Sequence, residues 1–326
     1  MRAVLCTEHG PPSTLVVRDV PALTPGDGQV VVAVKACGVN FPDTLIIEGR
    51  YQFQPPLPFS PGGEVAGVVT RVGAGVDGVG EGDRVIAICG FGGFAEEVLV
   101  ASSQLIPMPD SMDYASASAF VFTYGTDIYA LRDRAHLVAG ETLLVLGAAG
   151  GTGLAAVELG SAMGARVIAA ASSKEKLALC YECGASEGID YSTEDLRTRI
   201  KEITGGRGVD VCFDPVGGDF AEAAVRGIAW EGRYLVIGFV AGIPRVPLNL
   251  VLLKSCSIVG VFWGAFTGRD PARNRELLDE LFGLWERGAI RPRISATYPL
   301  ERAAEALTDL LERRALGKIV LVTDEA

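Results

Sequence analysis

The stretch TLLVLGAAGGTGLAAVELG, Thr142–Gly160, decides the fold. A short apolar run enters a glycine cluster, and a helical pattern begins at once. Ala148-Ala149-Gly150-Gly151-Thr152-Gly153 reads A-x-G-x-x-G, one residue short of the dinucleotide fingerprint, because its first position is Ala. Gly150 would let the backbone approach a pyrophosphate, and Gly153 would let the helix pack on the strand. The helix N-terminus offers N–H groups and partial positive charge to phosphates. The backbone from Ala149 to Gly153 is therefore the expected cradle. The alternative is a glycine-rich turn with no ligand, which the complete strand–turn–helix context disfavours.

The second stretch, AAASSKEK (Ala169–Lys176), speaks to which dinucleotide. Sites for NAD place an acid after the second strand, on the ribose 2′-hydroxyl. Here Ala171 stands at that position, followed by Ser172 and Ser173. An acid would repel a 2′-phosphate; small side chains and hydroxyls leave room for one. Lys174 and Lys176 can supply charge, unless they only solvate a helix face, and Tyr191 at the end of the third strand can add a hydroxyl. The reading is NADPH over NADH.

Working outward, RVIAAAS, SEGIDY, VDVCFDPVG, GRYLVIGFV and CSIVGVFWG read as strands, alternating with helical stretches. That alternation implies a parallel sheet covered on both faces. Residues 1–122 instead read as short strands broken by PGDGQ, GAGVDGVGEGDRV and CGFGGF, a strongly bent β-rich domain. The expected organisation is α/β: a doubly wound cofactor domain over 123–264, and a β-rich catalytic domain over 1–122 that recovers 265–326.

Composition narrows the function class. The 326 residues carry a net charge of −11 with no basic block, which argues against nucleic acid as a partner. The longest uncharged apolar run, residues 143–157, is interrupted by glycines and is too short to cross a membrane. MRAVLCTEHG has no long apolar region, so no signal peptide is expected. The seven cysteines are odd in number and show no framework spacing, which suits the cytoplasm. Cys180-Tyr181-Glu182-Cys183 is a lone C-x-x-C in a helical stretch and reads as plain helix.

With these features assembled, the chain resembles the medium-chain dehydrogenase/reductase superfamily and, within it, the zinc-independent NADPH:quinone oxidoreductases of the zeta-crystallin-like branch. The resemblance runs over essentially the full length. It rests on KACGVNFPDTLIIEGRY (35–51), PGGEVAG (61–67), GDRV (82–85), AAGGTG (148–153) and GKIVLV (317–322) in that order. It implies a GroES-like catalytic domain and a Rossmann cofactor domain. Where the zinc alcohol dehydrogenases of the superfamily have metal ligands, this chain has Asn40, Gly63 and Phe122, so no metal is expected. His9 and His136 are the only histidines, and zinc sites use N and S ligands.

The resemblance also carries residue roles. Asn40 is implied beside nicotinamide and substrate, and Tyr51 facing the substrate, where enoyl-thioester reductases have a proton donor. Leu45 stands where some quinone reductases have a second tyrosine. Thr126 is implied near nicotinamide, and Gly238-Phe239-Val240 and Phe262-Trp263-Gly264 as cofactor walls. Arg314 and Lys318 are implied cofactor contacts from the returning tail, one of them only a surface charge. The implied activity is hydride transfer from NADPH to a quinone or α,β-unsaturated carbonyl. A 2-enoyl thioester reductase and a non-catalytic NADPH-binding protein remain as alternatives. The family is commonly dimeric, and CSIVGVFWG is apolar enough for the edge strand that would pair a homodimer.

Overall fold

A computed structural model describes residues 1–323; Asp324–Ala326, the end of the segment assigned to the catalytic domain, lie outside the described residues. In chain order the first elements are β1 (Arg2–Leu5), β2 (Val16–Asp19), β3 (Gln29–Val39), α1 (Phe41–Ile47), β4 (Glu64–Val72), β5 (Arg84–Ile88), β6 (Glu97–Ala101), β7 (Leu105–Pro107) and α2 (Tyr114–Ser118). Next come α3 (Val121–Ile128), β8 (Thr142–Leu146), α4 (Gly151–Ala162), β9 (Arg166–Ala171), α5 (Lys174–Glu182), β10 (Glu187–Asp190), α6 (Leu196–Ile203), β11 (Val209–Asp214) and α7 (Phe220–Gly227). The chain continues through β12 (Ile228–Val236), α8 (Leu248–Lys254), β13 (Ser257–Gly260), α9 (Trp263–Arg269) and α10 (Pro271–Glu286). It closes with β14 (Ile294–Pro299), α11 (Ala303–Leu311) and β15 (Lys318–Val322).

These elements form two compact units, residues 1–122 with 292 onward, and residues 123–291. In the first unit the seven-stranded sheet runs β14-β15-β3-β4-β5-β7, with β6 also paired to β3. β15 joins β3 antiparallel, Ile319 opposite Val39 and Leu321 opposite Cys37. That is why the tail returns. Ile319, Val320 and Leu321 are fully apolar and buried, and only a sheet interior satisfies both their side chains and their backbone groups. α11 covers the same core through Ala303, Ala306 and Leu307.

The second unit holds one six-stranded sheet in the order β10-β9-β8-β11-β12-β13. Every pairing in it is parallel. Numbered within the sheet this is the 3-2-1-4-5-6 order of the doubly wound dinucleotide fold. β8 is buried along its whole length, as a central strand covered on both faces must be. Leu144, Leu146, Ile168, Cys212, Ile200 and Ala224 share one of its cores.

The segment 265–291 departs from expectation. It packs within the second unit and not with the β-rich one. Arg273 grips Asp133 with two hydrogen bonds of 2.7 and 3.0 Å, and Trp263 Nε1 donates to Asn274 Oδ1 at 3.0 Å. α10 buries Leu277, Leu278, Leu281 and Trp285. The boundary expected at 264 fails because α10 is amphipathic and its apolar side, Leu277, Leu278, Leu281 and Trp285, is buried within the second unit.

Candidate active site

The glycine loop is built for close backbone approach. β8 ends at Leu146, and Gly147 turns the chain at φ +58°. A Cβ on Gly153 would lie 2.3 Å from Gly147 O and 2.7 Å from Ala148 Cα. Only glycine allows α4 to start this close to the strand end. Gly150 occupies the position before the helix, and no side chain caps it. Among the described residues the N–H groups of Gly151, Thr152 and Gly153 therefore have no side-chain acceptor, the arrangement that suits an anion at a helix N-terminus. The left-handed turn residue is Gly147, which the A-x-G-x-x-G reading did not use; it was legible as the glycine directly ending the strand.

Around β9 the residues expected to meet a 2′-phosphate come together. Ser173 Oγ caps α5 by accepting from Lys176 N at 3.2 Å. Lys176 Nζ folds back to Ser172 Oγ at 3.1 Å, so the two hydroxyls and the ammonium share one corner. Ala171 is buried at the strand end. An acid, Asp190, is its register partner on β10, and its carboxylate is occupied by the N–H and hydroxyl of Ser192 at 3.1 and 2.6 Å. Tyr191 bonds Ala171 O through its N–H at 3.1 Å, and its ring lies 4.6 Å from that of Phe220.

The other residues carried over to this unit are less uniform. Thr126 is half-buried on α3. Gly238 donates to Asp214 O at 3.3 Å, followed by the exposed Phe239 and Val240. Phe262 is exposed, but Trp263 is turned inward. A Cβ on Gly125 would sit 2.8 Å from the Trp263 ring, so Trp263 is a packing residue against α3 rather than an open wall. Gly264 is exposed in the first turn of α9.

In the first unit a wholly buried polar cluster surrounds Asn40. Its side chain accepts from Lys318 Nζ at 2.6 Å through Oδ1, and donates through Nδ2 to Gly38 O and Glu64 Oε2, both at 3.2 Å. Glu64 Oε1 accepts from the Phe122 N–H at 2.7 Å. Lys318 Nζ also lies 3.5 Å from Glu64 Oε2. Asp43 accepts from the N–H of Asn40 at 2.7 Å and of Gly62 at 3.2 Å. Burial pushes its carboxyl up to about 7, against the pull of those N–H groups and of Lys318. Burial also raises Glu64, opposed by Lys318 and the Phe122 N–H. Glu64 and Asp43 went unused in the sequence reading, although Glu64 stands inside the quoted PGGEVAG.

Tyr51 follows α1, half-buried against the same core. Desolvation raises its phenol, with the Asp43 charge adding to the effect. Arg314 is exposed and pairs with Asp309 and Glu312, so of the two tail cations Lys318 enters the cluster and Arg314 stays on the surface. Cys37 and Cys89 neighbour the cluster, but burial pushes Cys89 up to about 12 and Cys37 well above its usual range, which leaves no thiolate nucleophile. At Gly63 a Cβ would meet Gly90 O at 3.1 Å, a tight contact to which the neighbouring backbone would have to yield slightly. Among the described residues no group of three or more His, Cys, Asp or Glu is arranged to hold a metal ion.

Residues 26–110 match the alcohol dehydrogenase GroES-like domain, and residues 151–282 the zinc-binding dehydrogenase domain. The chain is 42% identical to the quinone oxidoreductase-like protein 2 homolog of Nematostella vectensis, over 99% of this chain and 89% of that one. The chain belongs to the quinone oxidoreductase branch of the medium-chain dehydrogenase/reductase superfamily. As a member of this family it is an oxidoreductase. The Escherichia coli quinone oxidoreductase, solved complexed with NADPH, superposes with a TM-score of 0.91 at 30% identity, covering 99% of this chain and 100% of that one. A mycobacterial protein, also solved complexed with NADPH, gives 0.92 at 31% identity, covering 99% and 100%.

Proposed function

We propose that this protein is an NADPH-dependent reductase of quinones or related α,β-unsaturated carbonyls, working without a metal. The observation that carries the cofactor choice is the corner where Ser172 and Lys176 bond beside Ala171. It offers hydroxyls and a cation where an NAD site would offer an acid. Two structural relatives solved with NADPH support it, and the relatives named quinone oxidoreductase support the acceptor class.

The chain's own residues divide the work. The uncapped N–H groups of Gly151, Thr152 and Gly153, beside Ala149 and Gly150, hold the pyrophosphate. Ser172, Ser173, Lys176 and Tyr191 hold the 2′-phosphate. Thr126, Gly238, Phe239, Val240 and Phe262 border the nicotinamide half. Bound NADPH supplies the hydride. Tyr51 positions the acceptor, and the apolar surroundings keep water from competing.

The protein acts as a cytoplasmic homodimer. Leu248 and Leu252 on α8 are 74% and 79% exposed, and β13, the next element in the chain, is an unpaired sheet edge. A second copy aligned on that edge covers both. The free cysteines suit a reducing compartment, and no described helix is long and apolar enough to cross a membrane. Titration of the purified protein with each nucleotide tests the reading. NADPH should bind at least about tenfold more tightly than NADH, roughly 1.4 kcal/mol. Consumption of NADPH with a panel of quinones, enones and an enoyl thioester identifies the acceptor class; equal affinities, or no turnover on any of them, would sink it. Sedimentation velocity tests the dimer.

A further inference from the structure

Asn40 and Glu64 spend their hydrogen bonds within the cluster. A carboxamide has two N–H donors. Both of those on Asn40 are taken, by Gly38 O and Glu64 Oε2, and its oxygen already accepts from Lys318. Glu64 is equally committed, to the Phe122 N–H, to Asn40 and to Lys318. An ammonium has three donors, and among the described residues Lys318 Nζ has two acceptors, one of them as far as 3.5 Å. One N–H is therefore without an acceptor on a side chain that is only 5% exposed. An ammonium held this far from water with a donor to spare has its strongest use toward an incoming anion.

We propose that Lys318 Nζ donates a hydrogen bond to the carbonyl oxygen of the acceptor and stabilises the negative charge that reaches it, with Asn40 and Glu64 as the residues that position the ammonium. This rests on the reductase reading above and deepens it. When hydride adds to a conjugated carbon, a C–H bond forms, the adjacent π bond breaks, and an electron pair ends on the carbonyl oxygen. NADPH becomes NADP⁺. Lys318 keeps its proton throughout; the proton that completes the reduced acceptor comes from water. Donors aimed in advance at a developing oxyanion are among the largest contributions an enzyme makes, and losing one costs about 10²- to 10³-fold in turnover. The arrangement also explains why an ammonium is held by two groups from different elements. A flexible lysine stem gives little orientation by itself, and Asn40 on the β3–α1 corner with Glu64 on β4 supplies it.

The test uses the full chain and two probes. The first is 4-nitrophenol without nucleotide, an unreactive oxyanion whose ionised form absorbs in the visible. Bound to the unmodified protein, its ratio of phenolate to phenol should exceed that on Lys318→Met by at least about tenfold, about 1.4 kcal/mol, with Lys318→Arg intermediate. The second is 9,10-phenanthrenequinone with NADPH. Its turnover should fall by about 10² or more in Lys318→Met, while the NADPH dissociation constant, read by cofactor fluorescence, changes less than about twofold. Lys318→Met leaves Glu64 as a buried charge without its cation and can fail to fold. The double variant Lys318→Met/Glu64→Gln removes both charges, and it should show the same loss of phenolate. A double variant that folds and keeps the phenolate shift overturns the assignment. So does a Lys318→Met protein that binds NADPH tenfold more weakly with nitrophenol unaffected, since the lysine would then be a cofactor contact. If the unmodified protein reduces no quinone or enone yet shows the Lys318-dependent shift, the reductase reading fails and the oxyanion site stands.

Discussion

Glu64 and Asp127 are both carboxylates with no solvent exposure, one in each compact unit. Glu64 receives hydrogen bonds from three donors, the Phe122 N–H, Asn40 and Lys318. Asp127 receives none: among the described residues neither of its oxygens has a partner. Burial raises both carboxyls, but for Glu64 a cation and N–H groups oppose it, whereas for Asp127 desolvation is the sole cause and the carboxyl sits well above its usual range. Enclosure alone favours the neutral acid; a buried carboxylate becomes part of a site when donors converge on it. Glu64 thus organises polar groups from several elements. Asp127, enclosed on α3 with no donor on either oxygen among the described residues, is a local cost.

Removing the organised carboxylate should have the largest effect. Glu64→Ala strands the Lys318 ammonium and the Phe122 N–H, and the loss should be about 3–5 kcal/mol, read from denaturant midpoints. Glu64→Gln keeps the shape and should lose clearly less. Equal losses would mean that packing, not charge, fixes this region.

The opposite sign is expected at Asp127. Asp127→Val removes a polar group that nothing satisfies, and at pH 8 should stabilise by about 1–3 kcal/mol. The pH dependence follows from linkage. The folded state holds this proton more tightly than the unfolded chain, whose carboxyl titrates near ~3.9. The native state is therefore favoured below that value, and the advantage is lost as pH rises toward the raised folded value. The variant should lack that component of the slope in thermal melts between pH 4 and 8. A destabilised variant at pH 8 would mean that Asp127 has a partner after all, such as a buried water.

A third carboxylate can be introduced where neither pattern exists. Ala171→Asp sets an acid beside Asp190, its register partner, at the Ser172–Lys176 corner. NADPH affinity should fall by about tenfold, about 1.4 kcal/mol, and NADH should gain relative to it. Unchanged preference in a nucleotide titration would remove the electrostatic reading of this corner.

The smallest change tests Tyr51, the phenol raised by burial and by Asp43. Tyr51→Phe should lower quinone turnover only several-fold, because a reduced quinone is stable enough to take its proton from water. On an enone, a positioned acid would contribute about 10²- to 10⁴-fold. A hundredfold loss on an enoyl substrate, with negligible quinone activity in the unmodified protein, would favour the enoyl reductase instead.

Local features were legible early. The strand entering a glycine cluster and opening a helix fixed β8, the loop and α4, because strand length, glycine placement and helix start are all short-range properties. The missing acid at Ala171 was equally readable. The limits appear at Gly147, whose left-handed turn lies one residue before the A-x-G-x-x-G spacing that begins at Ala148. They appear again at 265–291, whose partner surface on α3 and its continuation could not be known from composition. Arg314 and Lys318 were indistinguishable as two cations around one glycine. Register decided between them: Lys318 begins β15 and faces Asn40, while Arg314 precedes the strand and finds Asp309 and Glu312.

What the sequence determined alone is the order of elements, the parallel sheet and the chemistry available at its glycine turn. Those follow from periodicity and from which backbone angles each residue tolerates, and both act over a few positions. What only the tertiary structure decided is which charges share an interior. Asn40, Glu64 and Lys318 are separated by up to 278 residues, and nothing in their local sequence says that one carboxylate will gather three donors while Asp127 gathers none. Desolvation makes such partnerships count, and it exists only once the chain has closed around them.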